Sequence, residues 1–158
     1  MDSQPRLAKA PVGVSGKPLI DARGPRFGAV ITTAVLIVVL LLAPAPAAVA
    51  LLAMQAVVFA VGAVAGLAYA PYGYIFRSLV RPRIGPTKEW EEEAAPRFAQ
   101  AVGLVFALVG LLGLLMGWPV VGLGAVAMAL AAAFLNAAFD YCLGCEMYLL
   151  LARLRREG

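Results

Sequence analysis

The sequence predicts an all-α integral membrane protein: four transmembrane helices built from two tandem helical-hairpin repeats of parallel orientation. Three observations lead there. Of 158 residues, 63% are hydrophobic and 14% charged, with a mean hydropathy of +0.89, too apolar for water to be the solvent of most of the surface. Four uncharged runs have close to the roughly 20 residues that a helix needs to cross a hydrocarbon core of about 30 Å. All thirteen Lys and Arg residues fall on one side of a four-span arrangement.

The first run extends from Phe27 to about Ala43, the second from Ala47 to Ala70, the third from Ala99 to Gly117 and the fourth from Pro119 to Phe139. Pro44-Ala45-Pro46 divides the first two, because two prolines one residue apart remove backbone donors and favour a turn. Trp118-Pro119 divides the last two. The first run is read as a span rather than a cleaved leader: a leader accounts for one such run, not four, and this one lies too far along the chain for a short basic n-region.

Positive charge sets the orientation. Arg6, Lys9, Lys17, Arg23 and Arg26 precede the first span; Arg77, Arg81, Arg83, Lys88 and Arg97 lie between the second and third; Arg153, Arg155 and Arg156 follow the fourth. The hairpin turns carry no charge. The basic side is cytoplasmic by the positive-inside rule, so both termini are placed in the cytoplasm of a multi-pass cell-membrane protein. The pI of 9.4 then reports topology and contact with anionic headgroups. It does not report nucleic-acid binding, since the aromatic residues sit at span ends rather than between basic ones.

The chain repeats itself. Gly24-Pro25-Arg26-Phe27 opens the first span, and Ala95-Pro96-Arg97-Phe98 opens the third 71 residues later; at that offset the exits Pro71-Tyr72-Gly73 and Cys142-Leu143-Gly144 also align. Each unit holds an even number of spans, so the copies point the same way, about an axis along the membrane normal. Residues 1–20 read as a mobile cytoplasmic tail, 21–83 as the first two-helix repeat with an interfacial exit segment, 84–94 as an acidic cytoplasmic loop and 95–158 as the second repeat with a basic C-terminal helix. Glu89 to Glu93 read as a solvated helix start.

Small residues mark helix contacts, because lipid offers no hydrophobic drive for helix association. Gly62-x-x-x-Gly66 and Gly113-x-x-x-Gly117 have the expected spacing, and Ala125, Ala129, Ala132, Asn136 and Asp140 form an inward-looking stripe on the fourth span.

Few residues can carry chemistry. There is no histidine and no phosphate-binding glycine loop, so no nucleophile with a histidine base can be assembled. What remains is Cys142-Leu143-Gly144-Cys145, the chain's only cysteines, at the cytoplasmic end of the fourth span. On a helix two thiols three apart share a face and come within disulfide reach. The competing reading makes them small apolar residues that pack; metal binding would need further ligands from another subunit. Neither a metal nor a cofactor is implied. Arg26 and Arg97 at the same depth favour thiolate, and Glu146 lies near the cysteine face. Asp140 falls on the opposite face of a continuous helix and is expected to pair with Arg26, Arg77 or Arg97.

Ile20-Asp21-Ala22-Arg23-Gly24-Pro25-Arg26-Phe27, the loop from Pro71 to Arg83, Pro96-Arg97-Phe98-Ala99-Gln100, and Phe134-Leu135-Asn136-Ala137-Ala138-Phe139 running into Cys142 to Tyr148 resemble the bacterial membrane family catalogued as domain of unknown function 4395, over about residues 19 to 154. Some of its members lie near genes for sulfurtransferase or thioredoxin-like proteins. The resemblance thus implies a thiol or sulfane-sulfur role for Cys142 and Cys145; Asp140 departs from the uncharged residue expected there. The leading function is a membrane-embedded thiol-disulfide exchange or sulfur-relay protein. Its Cys142-Cys145 pair, resting as a dithiol in a reducing cytoplasm, exchanges with a thioredoxin-like or sulfurtransferase-like partner, either cysteine being the attacking one. The alternatives are a non-enzymatic membrane scaffold or subunit, with homo-oligomers compatible, and a small-solute transporter, weakened by the lack of charge at mid-membrane depth.

Overall fold

The structure, a computed structural model, describes residue 13 and residues 16–158. Arg6, Lys9 and most of the stretch read as a tail lie outside the described residues. The body is made by α1 (Arg23–Leu42), α2 (Pro46–Val64), α5 (Ala94–Leu115) and α6 (Pro119–Phe139). Between α2 and α5 come the short helices α3 (Pro71–Ile75) and α4 (Arg81–Ile84), joined by a π-helical segment, Phe76–Val80; α7 (Leu143–Glu157) follows α6. The molecule is mostly helical, and the four long helices are long and apolar enough to cross a membrane, with mean hydropathies of 2.1 to 2.3.

The turns between long helices fall where the prolines put them. Pro46 and Pro119 occupy the first turns of α2 and α6, where a missing N–H breaks no helical bond and the fixed φ suits the helix. At the second turn Gly117 takes a left-handed φ of 75° and the Trp118 N–H returns to the Gly113 carbonyl at 2.7 Å. The second span is shorter than its apolar run. It ends at Val64 rather than near Ala70, because Gly66 has a φ of 111° and the following Leu67 N–H donates to the Glu93 carboxylate at 3.0 Å.

The four long helices form a ring in which α1 and α5 each pack against both α2 and α6. Leu36, Val39, Leu52, Phe59 and Val126 fill its centre. The small-residue pairs divide their work. Gly113 lies so close to α6 that an added Cβ would stand 2.5 Å from the Gly122 nitrogen, and one at Gly62 would meet the Gln100 side chain at 2.9 Å. Gly66 and Gly117 instead supply positive φ at the turns. In the α6 stripe Ala125 and Ala129 are buried, Ala132 and Asn136 are half-buried, and Asp140 is exposed beyond the helix end.

The tail and the acidic loop meet in a small antiparallel ribbon. Its strands are β1 (Leu19–Asp21) and β2 (Trp90–Glu92), paired Leu19 with Glu92, Ile20 with Glu91 and Asp21 with Trp90. Glu89 to Glu93 are therefore not a solvated helix start: three of the five lie in a strand, and Glu93 holds the turn after α2. In the exit segment Phe76 is buried, with its ring 5.7 Å from that of Phe27.

The α5–α6 approach makes a direct prediction. Gly113→Ala should lower stability by about 1 to 3 kcal/mol, the usual cost of overpacking. Gly124→Ala, whose Cβ would meet nothing within 4 Å, should be neutral or gain up to about 1 kcal/mol from helix propensity. Thermal unfolding in detergent, followed by helicity, checks both; equal midpoints would contradict the packing.

Candidate functional site: the Cys142–Cys145 disulfide

The expected continuous helix through the cysteines is broken just before them. Asp140 adopts the left-handed conformation, φ 55° and ψ 31°, which Asp tolerates better than most residues. Its N–H returns to the Asn136 carbonyl at 3.1 Å and that of Tyr141 to Leu135 at 3.3 Å, closing α6. Cys142 is then extended and caps α7, and its Sγ accepts the Cys145 N–H at 3.2 Å.

The two cysteines are joined as a disulfide, with Cα atoms 5.2 Å apart. The pair read as resting dithiol is thus oxidised in the structure. Both cysteines are half-buried, so neither is sealed away. Gly144 fixes the position of the pair: it is buried against α5, and a Cβ there would stand 2.6 Å from Ala99 Cα. Farther along α7, Phe98 and Tyr148 place their rings 5.9 Å apart, and Lys17 donates to the Tyr148 hydroxyl at 3.1 Å. Glu146 in the first turn and Arg155 and Arg156 in the last complement the helix dipole.

The arginines do other work than expected. Arg26 Nε donates to the Ala137 carbonyl at 3.2 Å, near the end of α6. Arg97 donates to the Ala63 carbonyl at 3.2 and 3.0 Å and to Val64 at 2.7 Å, at the end of α2. Arg77 reaches the Ala68 carbonyl at 2.6 Å. The expected ion pair of Asp140 with Arg26, Arg77 or Arg97 does not form among the described residues. Their ion pairs belong to Asp21, held by Arg23 at 2.8 Å with Arg81 at 3.9 Å. Burial pushes the Asp21 carboxyl up, but its bonds to Arg23 outweigh this and hold it below its ordinary range.

Three features escaped the sequence reading. Gln55 is fully buried; it donates to Thr32 Oγ1 at 3.4 Å and accepts from the Tyr72 hydroxyl at 2.8 Å. As the only amide in the second run, it was a visible signal, since an amide at that depth needs a partner. Beside the disulfide, a cavity of about 270 Å³ lies among α1, α5, α6 and α7 and is lined by Cys142 and Asn136. Glu91 is the third: half-buried in the ribbon, its carboxyl is pushed up to about 7 by loss of water, with a further push from the charge of Asp140. No sequence signal separates Glu91 from its acidic neighbours, because the strand pairing makes its environment.

Fold and site together define a class: a bundle of four membrane-length apolar helices carrying a C-x-x-C disulfide at the start of the helix that follows. The chain belongs to the family described as Domain of unknown function (DUF4395), whose model matches residues 20–153. The match bears out the resemblance carried by the Pro-Arg-Phe and C-x-x-C segments. No curated protein and no solved structure matches the chain.

Glu91 yields a pH prediction. Its folded pKa lies above the unfolded value of 4.5, so its contribution to stability is complete below about pH 4.5 and is lost as pH rises through about 7. Wild type should lose about 1 to 3 kcal/mol across that window relative to Glu91→Gln, and Asp140→Asn should lose less, because without the Asp140 charge the folded pKa lies closer to 4.5. Unfolding midpoints measured against pH check this; parallel curves for wild type and Glu91→Gln would contradict it.

Proposed function

We propose that the protein is an integral cell-membrane thiol-disulfide exchange or sulfur-relay protein, with both termini and its Cys142–Cys145 pair on the cytoplasmic side. The carrying observation is the half-buried disulfide at the first turn of α7, with Cys142 as cap and its Sγ on the Cys145 amide. In the reduced pair, negative charge on Cys142 sulfur gains that N–H and the positive end of the α7 dipole. Cys145 lies inside the turn and lacks this position. Of the two, Cys142 is therefore the attacking thiolate and Cys145 the resolving one.

The exchange balances with a partner's disulfide. Cys142 thiolate attacks one partner sulfur, the S–S bond breaks and its electron pair leaves on the other sulfur. Cys145 thiolate then attacks Cys142 Sγ, forming the disulfide of the structure and releasing the second partner sulfur as thiolate. The partner is reduced by two electrons and the pair oxidised by two; run backwards, the sequence oxidises a partner dithiol. The partner class is a cytoplasmic thioredoxin-like or sulfurtransferase-like protein, the latter delivering sulfane sulfur to Cys142.

A duplicated hairpin is part of the same proposal, and three observations support it. The central ribbon pair, Ile20 and Glu91, stands at the 71-residue offset of the two Pro-Arg-Phe motifs, and that offset exchanges the other two pairs. Arg26 and Arg97, equivalent at that offset, each reach the C-terminal turn of the other half's second helix. Gly73 and Gly144, also equivalent, both sit where backbones crowd.

Two experiments test the reading. Cys145→Ser should trap a mixed disulfide with a thioredoxin-like protein through Cys142, and Cys142→Ser should trap none; the reverse pattern would overturn the assignment of roles, and no adduct with either would sink the exchange. Reporter fusions after Gly158 and between Pro86 and Glu93 should report cytoplasm, while tags at Ala45 and Trp118 should react with impermeant reagents from outside. An external C-terminus would refute the topology.

A further inference from the structure

Cys142 of the disulfide forms part of a cavity wall. The cavity beside it, about 270 Å³, has Cys142 and Asn136 at one end and runs along α6 as far as Met128; eight residues of helix correspond to about 12 Å of depth. Phe59, Phe106 and Met128 line it farther from the disulfide, and Gln100 and Asn136 are the two amide residues among its otherwise largely apolar lining. Met128 is also 62% exposed on the outer surface of the bundle, so the cavity adjoins the surface that lipid would cover. Apolar walls with a few placed polar groups are the usual make-up of a small-molecule site, and the volume is near the lower end of such sites.

We propose that this cavity binds a membrane quinone that takes two electrons from the Cys142–Cys145 dithiol. The inference rests on the thiol reading of the pair and names its second substrate class. When the exchange oxidises a partner dithiol, the pair is left reduced and must pass two electrons on before it can act again. Here the acceptor's place is apolar, lies at helix depth and carries amide donors suited to a carbonyl oxygen. A quinone ring meets those demands, with its isoprenoid tail leaving beside Met128 into lipid; a water-soluble acceptor does not, and a lipid acyl chain has no use for the amides. The step balances: two thiols lose two protons and two electrons and form one S–S bond, and the quinone gains both pairs to become a quinol.

The full chain in lipid nanodiscs, reduced and held without oxygen, should convert one short-chain ubiquinone analogue to quinol for each pair of thiols lost. Ala132→Phe, which fills the cavity, should slow this by about tenfold or more, its helicity and gel-filtration profile confirming that it folds. An azido-quinone should label peptides from residues 96–106 or 128–147 in wild type, which keeps the test independent of the variant. Wild type that exchanges with thioredoxin but leaves the quinone unreduced would overturn the quinone site and leave the thiol function standing. Failure of both reactions would remove the thiol reading and the quinone site together. Quinone reduction unaffected by Ala132→Phe, or labelling confined to other peptides, would also overturn the site.

Discussion

Helix ends leave carbonyl groups with no partner in their own helix, and the bundle depends on how two such ends are satisfied. The last carbonyls of α2 and α6 are met by arginines from the first turns of α5 and α1, at distances of 2.7 to 3.2 Å. Each guanidinium brings positive charge to the negative end of a helix dipole and supplies donors where the ladder has run out. Because each arginine reaches the opposite hairpin, the same bonds hold α1 antiparallel to α6 and α5 antiparallel to α2. They also commit Arg26 and Arg97 to backbone, which is why Asp140 finds neither.

With the end of α6 held, the disulfide follows. Asp140 closes the helix, Cys142 turns out of it, and Gly144 lets α7 approach Ala99 closely enough to keep Cys142 on the wall of the cavity. On the duplication reading, Pro71 and Tyr74 stand in the first hairpin where Cys142 and Cys145 stand in the second. A cavity of about 330 Å³, lined in part by Pro25, Gly28, Tyr72 and Phe76, lies there in turn. Tyr72 and Thr32 on its wall both hydrogen-bond Gln55, and its lining has no sulfur. The two sites would thus share a scaffold and differ in chemistry, one polar network serving packing and one disulfide serving exchange.

The four long apolar helices were legible because length and hydropathy determine them almost alone, and Pro46 and Pro119 marked the turns. The family was legible from segments that are specific in combination. Less visible was everything set by a close approach between distant residues. Gly66 and Gly117 have helical packing spacing, yet their backbones turn, and with Gly66 the contact of Glu93 with the Leu67 N–H ends α2 early. Asp140 looked like a charge seeking an arginine, whereas its tolerance of left-handed φ is what the chain uses. Periodicity could not show that break, and so placed the cysteines along one helix instead of at the start of the next. Three-residue strands such as β1 and β2 carry no periodic signal, which hid the environment of Glu91.

Thiol exchange requires the Cys142–Cys145 bond to open and close, and differential alkylation of the two cysteines in intact membranes measures that most directly. Under reducing conditions Cys142 should be modified first and Cys145 more slowly, and mild oxidant should protect both together, reversibly with added dithiol. Two thiols that react alike, or not at all, with no change on oxidation would contradict the account and leave the cysteines as packing residues.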